Sequence, residues 1–491
     1  VLEAVTGLPA DSAALVDDRG KLSGDAFVAA VRSEIRWLRS TGAERVALLA
    51  ENGRGWAIAD VALLEAGQVN VPLPHHFGDR QLCHALDSAG VEAILTDTPE
   101  RIARLDLGFA AHGTSPGSNL QWLVRNMSGE LPALPRATAK ITYTSGSTDE
   151  PKGVCLTRAT LESVARSVAT VVRALGIRRH VGLLPLATLL ENIAGLYAAW
   201  FSGAACHLPA GVPAAIGRGT LTPEQLLGTI TRHQAESLIL VPELLRTLVG
   251  GSEAGWRAPS SAKFYAVGGA CVSGELLERA AKVRLPVYEG YGLSECASVQ
   301  CLNTPDAKRV GSVGRPLRHA QVRIDAGGEI HVSGSVMAGY VGQPQLAAGA
   351  KIATGDLGEV DDDGFVYVRG RIKNVFINSF GRNISPEWIE RELTQEPAIG
   401  QAIACGEGRP AVVALLTPGG GAADHAALSA AVERANSRLP DYARVARFAV
   451  APERFTMANG LLTGNGRPRR ERIVARYAQL IDELYWQAQA S

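Results

Sequence analysis

Lysine is scarce. Of the 49 basic residues in this 491-residue chain only eight are lysine, so nearly all positive charge is guanidinium. Acidic residues also number 49, and the formal net charge is zero. That balance gives no electrostatic reason to expect nucleic acid or an acidic membrane surface as the main partner. Cysteine is sparse as well, at positions 83, 155, 206, 271, 296, 301 and 405, with no CxxC pair and no Cys/His cluster at metal-ligand spacing. An odd, scattered set suits free thiols in a reducing, cytoplasmic compartment. Long uninterrupted apolar runs are missing. The most apolar stretch, Val181 to Phe201, contains Pro185, Glu191 and Asn192, which would be costly in a bilayer, so it reads as a buried strand end followed by a core helix rather than a transmembrane segment. Val1 to Leu8 carries an acid and is too short for a secretory signal.

What is present indicates two domains, since the chain is too long for one ordinary core. Ser23 caps an expected helix running to about Ser40, with Phe27, Val31, Ile35 and Leu38 on one face. Strands are expected at Arg45–Ala50, Val69–Leu73 and Glu92–Thr96, alternating with helices at 56–66 and 79–88. Such alternation predicts a mostly parallel sheet covered on both faces. It resumes beyond residue 160, with strands near Val181, at Leu238–Val241 and at Phe264–Val267. From about Val310 short strands separated by Gly, Asp and Pro predict a small β-rich element. After Arg371 a compact α+β unit begins, in which Ser385-Pro386-Glu387 reads as a helix start with a capping hydroxyl and proline at the first position. The expected division is therefore 1–370, a joint at 371–374, and 375–491.

The most informative stretch is Ile141 to Thr157, ITYTSGSTDEPKGVCLT. Small residues let backbone N–H groups approach an anion, hydroxyls add donors, and Lys152 supplies a mobile positive charge. The composition suits a polyphosphate, yet no Gly-Lys-Ser/Thr closes it, so it is not a Walker-type loop. Tyr288 to Glu295, YEGYGLSE, has an aromatic flanked by glycines, against which a flat base can lie, and a carboxylate able to hold a divalent ion.

Together these strings, with Val267 to Ala270 (VGGA), Thr354-Gly355-Asp356, Arg369 to Lys373 (RGRIK) and Gly381 to Glu387, resemble the ordered motifs of the adenylate-forming superfamily, most closely its long-chain acyl-CoA synthetases. The resemblance implies an α/β fold: a large N-terminal domain with mostly parallel sheets, and a small mobile C-terminal domain. It implies an enzyme that joins a carboxylic acid to a thiol using ATP, with Mg2+ required and CoA as co-substrate. Thr144, Ser145, Gly146, Ser147, Thr148 and Lys152 would handle the phosphates. Gly269, Ala270, Glu289, Gly290 and Tyr291 would meet adenine, and Ser294 the phosphate or acyl carboxylate. Glu295 would hold magnesium, while Asp356 and Arg371 would meet the nucleotide. Lys373 falls at the hinge, and Gly381 and Asn383 line the CoA tunnel. An acyl carrier protein could present the same thiol arm as CoA.

Three positions depart from the family pattern. Asp149 stands where glycine is usual and is expected to point away from the phosphates. Thr188 replaces a histidine that closes the acyl pocket in many relatives. Arg467 stands where a catalytic lysine is usual, and no lysine follows Lys373. A planar guanidinium is not equivalent to a compact ammonium, so adenylation is expected to be slowed; a catalytically impaired nucleotide-binding protein is the alternative. No aspartate lies in the 184–200 segment to hold an α-amino group, which favours a fatty or other apolar acid.

Overall fold

The computed structural model describes residues 1–8, 12–126, 131–144, 151–218, 220–270, 272, 274–380, 382–420, 424–463 and 466–486. Two large sheets carry most of the first 340 residues. One holds, in spatial order, Gly339–Tyr340, Lys152–Thr157, Thr138–Thr144, Val69–Pro72, Arg45–Leu49, Ala93–Thr96, Gln121–Val124 and Ala110–Thr114. The other runs from Arg315–Pro316 through Ser298–Leu302, Val287–Leu293, Phe264–Val267 and Ser237–Leu240 to Arg179–Val181, Ala205–His207, Ala13–Asp17 and Gly20–Ser23. Both are parallel at the centre and antiparallel towards the edges. The central strands are buried on both faces, which is why Arg45–Leu49 reads as a continuous apolar run rather than an alternating one.

Local chemistry sets the helix ends. The Ser23 hydroxyl accepts from the Ala26 N–H at 3.2 Å, and Gly42, in the left-handed region, terminates the helix Gly24–Thr41. The apolar segment after Val181 is not one regular helix. It runs as Leu189–Glu191, a π-helical turn Asn192–Tyr197, and Ala198–Ser202. A buried polar node fixes that turn. Asp60 accepts from Asn70 (2.7 Å), Lys140 (2.6 Å), Asn192 (3.1 Å) and Tyr197 (2.6 Å), while Lys140 also donates to the Asn192 side chain. Lys140 and Asp60 are both fully buried. One of the eight lysines is thus spent inside the large domain.

The β-rich element is an antiparallel sheet of Ala320–Ile324, Glu329–Gly334, Ile352–Val360 and Val366–Arg371. Beyond it a separate apolar core forms around Phe376, Ile389, Leu393 and Leu416. Its sheet, Ile399–Cys405, Val412–Pro418 and Val445–Val450, packs with helices Pro386–Thr394 and His425–Ser437. One sequence expectation needs correction here. Ser385 precedes its helix, but its hydroxyl donates to the Arg369 carbonyl and to Glu387 instead of capping. The last two described helices are Arg470–Arg476 and Ala478–Trp486, separated at Tyr477. Among the described residues no helix is long and apolar enough to cross a membrane.

Candidate active site

Strand register builds the first part of the site. Ile352–Val360 runs antiparallel to Val366–Arg371 with Asp356 directly opposite Arg371, and the Arg371 Nε lies 2.7 Å from the Asp356 carboxylate. The second carboxylate oxygen accepts from the Tyr291 hydroxyl at 2.6 Å. Tyr291 arrives from another sheet, on the strand Val287–Leu293. Burial, reinforced by the Asp356 charge, pushes its phenol well above the ordinary value. Glycine at 292 is compulsory, because a Cβ there would lie 1.8 Å from the Ser298 carbonyl oxygen on the adjoining strand. Glu289, on the same strand, is buried, and desolvation raises its carboxyl to about 8 against the opposing pull of Arg391.

A second group gathers at the hairpin end. Thr138–Thr144 and Lys152–Thr157 pair antiparallel, with Thr144 opposite Lys152. The edge strand Gly339–Tyr340 then places Tyr340 opposite Val154. The Lys152 ammonium lies 5.6 Å from the centre of the Tyr340 ring, and the Tyr340 hydroxyl donates to Glu295 at 3.0 Å. Tyr340 therefore links the lysine to the carboxylate. Nothing in the sequence flagged it, since it lies 45 residues from Glu295 and only the strand pairing brings it near. Gly153 must stay small, for a Cβ would meet Val341 at 2.7 Å. Ser145, Gly146, Ser147, Thr148 and Asp149, and likewise Gly381, lie outside the described residues.

The C-terminal part contributes from above. The turn 463–467 closes through the Thr463 N–H to the Arg467 carbonyl (2.8 Å) and the Arg467 N–H to the Thr463 hydroxyl (3.1 Å). Its arginine reaches across to donate from Nε to the Gly269 carbonyl at 2.5 Å. Gly269 sits at φ +82°, a conformation that favours glycine. Burial, then the neighbouring Arg371 charge, lower the Arg467 pKa, opposed by Asp356, Tyr291 and Glu295. Lys373, in the turn Ile372–Asn374, is lowered for the same two reasons, burial and Arg371. Asn383 pairs with Ile377 in a short hairpin.

These groups surround a cavity of about 920 Å³. Gly269, Gly290, Tyr291, Ser294, Glu295 and Arg467 are among the residues that line it. Buried apolar residues line it too, among them Val168, Val172, Leu189, Ile239 and Phe264. Thr188 also lines it, with its hydroxyl turned to the Pro185 carbonyl at 2.7 Å. An adjoining cleft of about 1680 Å³ carries Ala270, Glu289, Asp356, Arg371 and Lys373. Of the sequence-derived candidates, Gly269, Gly290, Tyr291, Ser294, Glu295 and Arg467 line the first space and Ala270, Glu289, Asp356, Arg371 and Lys373 the second. Asn383 and Lys152 line neither, and Lys152 joins the group through Tyr340. A carboxylate with an oxygen bound by a tyrosine, as at Glu295, still has acceptor capacity for a hard cation that binds one or two carboxylates and keeps its waters.

The family model for AMP-binding enzymes matches residues 2–341, and that for the C-terminal domain of AMP-binding enzymes matches residues 373–489. A long-chain-fatty-acid–CoA ligase of Mycobacterium bovis is 27% identical, covering 90% of this chain and 88% of its own. A 2-succinylbenzoate–CoA ligase of Bacillus velezensis is 32% identical over 56% of each chain. Among solved structures, the o-succinylbenzoate CoA synthetase of Bacillus subtilis in complex with its acyl-adenylate intermediate superposes with a TM-score of 0.76. It covers 96% of this chain and 97% of its own at 24% identity, a likeness of fold.

Proposed function

This chain belongs to the AMP-binding enzyme family, and we propose that it is an AMP-forming acyl-CoA ligase acting in the cytoplasm on a largely apolar carboxylic acid. The observation that carries the reading is the meeting of Glu295, Arg467 and the Tyr291–Asp356–Arg371 group around two adjoining spaces, one with buried apolar lining, with Lys152 joined to Glu295 through Tyr340. Charge-handling groups and apolar lining come together there, as a reaction between a nucleotide and a greasy acid requires. The cytoplasmic setting is supported by six free thiols among the described residues.

The chemistry follows from leaving groups. A carboxylate does not acylate a thiol directly, because oxide would have to leave. Attack of a carboxylate oxygen on the α-phosphorus of ATP forms the acyl–phosphate bond and expels pyrophosphate. The thiol of CoA then adds to the acyl carbonyl, loses its proton, and AMP departs. Arg467, Arg371 and Lys152 would neutralise charge growing on phosphoryl oxygens, which is the main requirement of phosphoryl transfer. Glu295 would hold magnesium, whose charge adds to that neutralisation when bound. Asp356, an acceptor with two oxygens, suits the ribose hydroxyls, and Tyr291 and Arg371 hold its carboxylate in place. The joint at Ile372–Asn374 would let the small domain exchange one set of groups for another between the two steps.

The test is pyrophosphate release with ATP, magnesium and a panel of fatty and aryl acids, with and without CoA. Release that needs both a particular acid and CoA is expected. Acid-dependent release limited to one turnover and indifferent to CoA would mean another thiol acceptor, and no release with any acid would refute the ligase.

A further inference from the structure

Deep in the cavity the apolar lining is interrupted. His180 and Ser237 both line its wall, opposite one another on adjacent parallel strands. The imidazole Nδ1 lies 3.0 Å from the Ser237 hydroxyl, and Nε2 lies 2.7 Å from Glu191. The other Glu191 oxygen accepts from the Leu184 N–H at 3.0 Å. All three residues are at least nine-tenths buried. Burying a carboxylate, an imidazole and a hydroxyl in the wall of an apolar cavity is costly unless each is bonded.

The surrounding chain makes room for this group. A Cβ on Gly195 would stand 2.3 Å from the Glu191 carboxylate and 2.8 Å from the His180 Nε2. Gly195 itself belongs to the π-helical turn, a distortion that frequently marks functional sites. Both imidazole nitrogens are engaged, so the spare hydrogen-bonding capacity at the wall belongs to the Ser237 hydroxyl.

We propose that the Ser237 hydroxyl, oriented by His180, receives a neutral hydrogen-bonding group, a hydroxyl or oxo oxygen, carried on the substrate acid far from its reacting carboxylate. This rests on the ligase reading above and names its substrate class: an oxygenated apolar acid, not a plain fatty acid. On the reading that the carboxylate reacts beside Gly268 and Gly269, where Arg467 bonds, the position follows from register. Ser237 lies opposite Phe264, and Gly268 follows the end of that strand. Four residues of parallel strand span roughly 13 Å, or about ten bonds of an extended chain at ~1.5 Å and ~111°. A second carboxylate is a poor fit, because Glu191 stands immediately behind the imidazole.

The experiment compares acids of one chain length: unsubstituted, hydroxylated or oxidised to a ketone about ten bonds from the carboxyl, and dicarboxylic. The full chain is assayed for kcat/KM of pyrophosphate release, and binding is measured by calorimetry without ATP. The oxygenated acid should be favoured roughly ten- to hundred-fold, and Ser237→Ala should bring that ratio towards one. Equal values for the acids, or preference for the unsubstituted or dicarboxylic acid, would overturn the proposal while leaving the ligase intact. If no acid releases pyrophosphate, the ligase reading fails and calorimetry alone decides: tighter binding of the oxygenated acid upholds the polar wall, and equal binding overturns it.

Discussion

Arg467 stands where the sequence resemblance leads one to expect a lysine, and replacing it gives the most decisive measurement. In the structure its Nε is committed to the Gly269 carbonyl, which leaves the two terminal nitrogens for substrate. A hydrogen bond from a charged donor is worth about 1.5–3 kcal/mol. Loss of one group that stabilises the charge of a transition state costs about 2.7–4 kcal/mol, or roughly 10²–10³ in rate. Arg467→Ala forfeits both, so acyl-adenylate formation should fall by at least about 10²-fold. Arg467→Lys forfeits only the anchor and supplies a compact ammonium that can follow the transferring phosphoryl group. We expect it to form the adenylate faster than the parent. Single-turnover quenched-flow measurement of acyl-adenylate and pyrophosphate reads this step directly, without the thiol step. An unaltered rate for Arg467→Ala, or a lysine variant no faster than the parent, would refute the reasoning.

Three further outcomes follow from geometry. Lys140→Met leaves the Asp60 carboxylate buried without its cation and should lower unfolding stability by about 3–5 kcal/mol; pairing it with Asp60→Leu should recover much of that loss, as read by urea denaturation. The Glu289 carboxyl is raised from 4.5 to about 8 in the folded chain, so between those values the native state retains a proton that the unfolded state has lost. Its contribution therefore becomes unfavourable as pH rises through that window and levels off above about 8. Glu289→Gln should stabilise the protein above that pH and not below 4.5, and melting at a series of pH values would show a flat difference if the argument is wrong. Asp356→Ala removes the acceptor proposed for the ribose and should weaken ATP binding roughly ten- to hundred-fold by calorimetry; unaltered affinity would detach that residue from the nucleotide.

Much of this could be read from residues alone, and the reasons for the exceptions are physical. Arg45–Leu49 was legible as an unbroken apolar run, and Asp79–Ser88 by the helical spacing of Leu82, Ala85 and Leu86. Asp356 and Arg371 were each identifiable by motif, yet their contact depends on the register of two antiparallel strands, which no local pattern encodes. Tyr340 escaped notice because an edge strand supplies it from a distant segment. The burial of Lys140 has no local sign in the sequence, because it depends on Asp60, eighty residues earlier in the chain. The π-helical turn was invisible for a related reason: Asn192 bonds sideways to Lys140 and Asp60, and helical periodicity cannot reveal such a contact. Ser385 failed as a cap because tertiary partners, Arg369 and Glu387, compete for its hydroxyl.

The neighbouring charges of Arg371 and Arg467 carry a thermodynamic consequence. One comes from the β-rich element and the other from the C-terminal turn, and Asp356, paired with Arg371, offsets part of their repulsion. On the proposed reading, in which the small domain closes onto the large one, the repulsion that is left opposes closure while no nucleotide is bound. A nucleotide's phosphates reverse the sign, and by linkage whatever favours closure must tighten nucleotide binding by the same factor. Departure of pyrophosphate removes negative charge from between the two arginines, and the same repulsion then favours release of the turn. On the proposed reading, the clamp is loaded and unloaded by the charge of its own reactants, and no separate trigger is required.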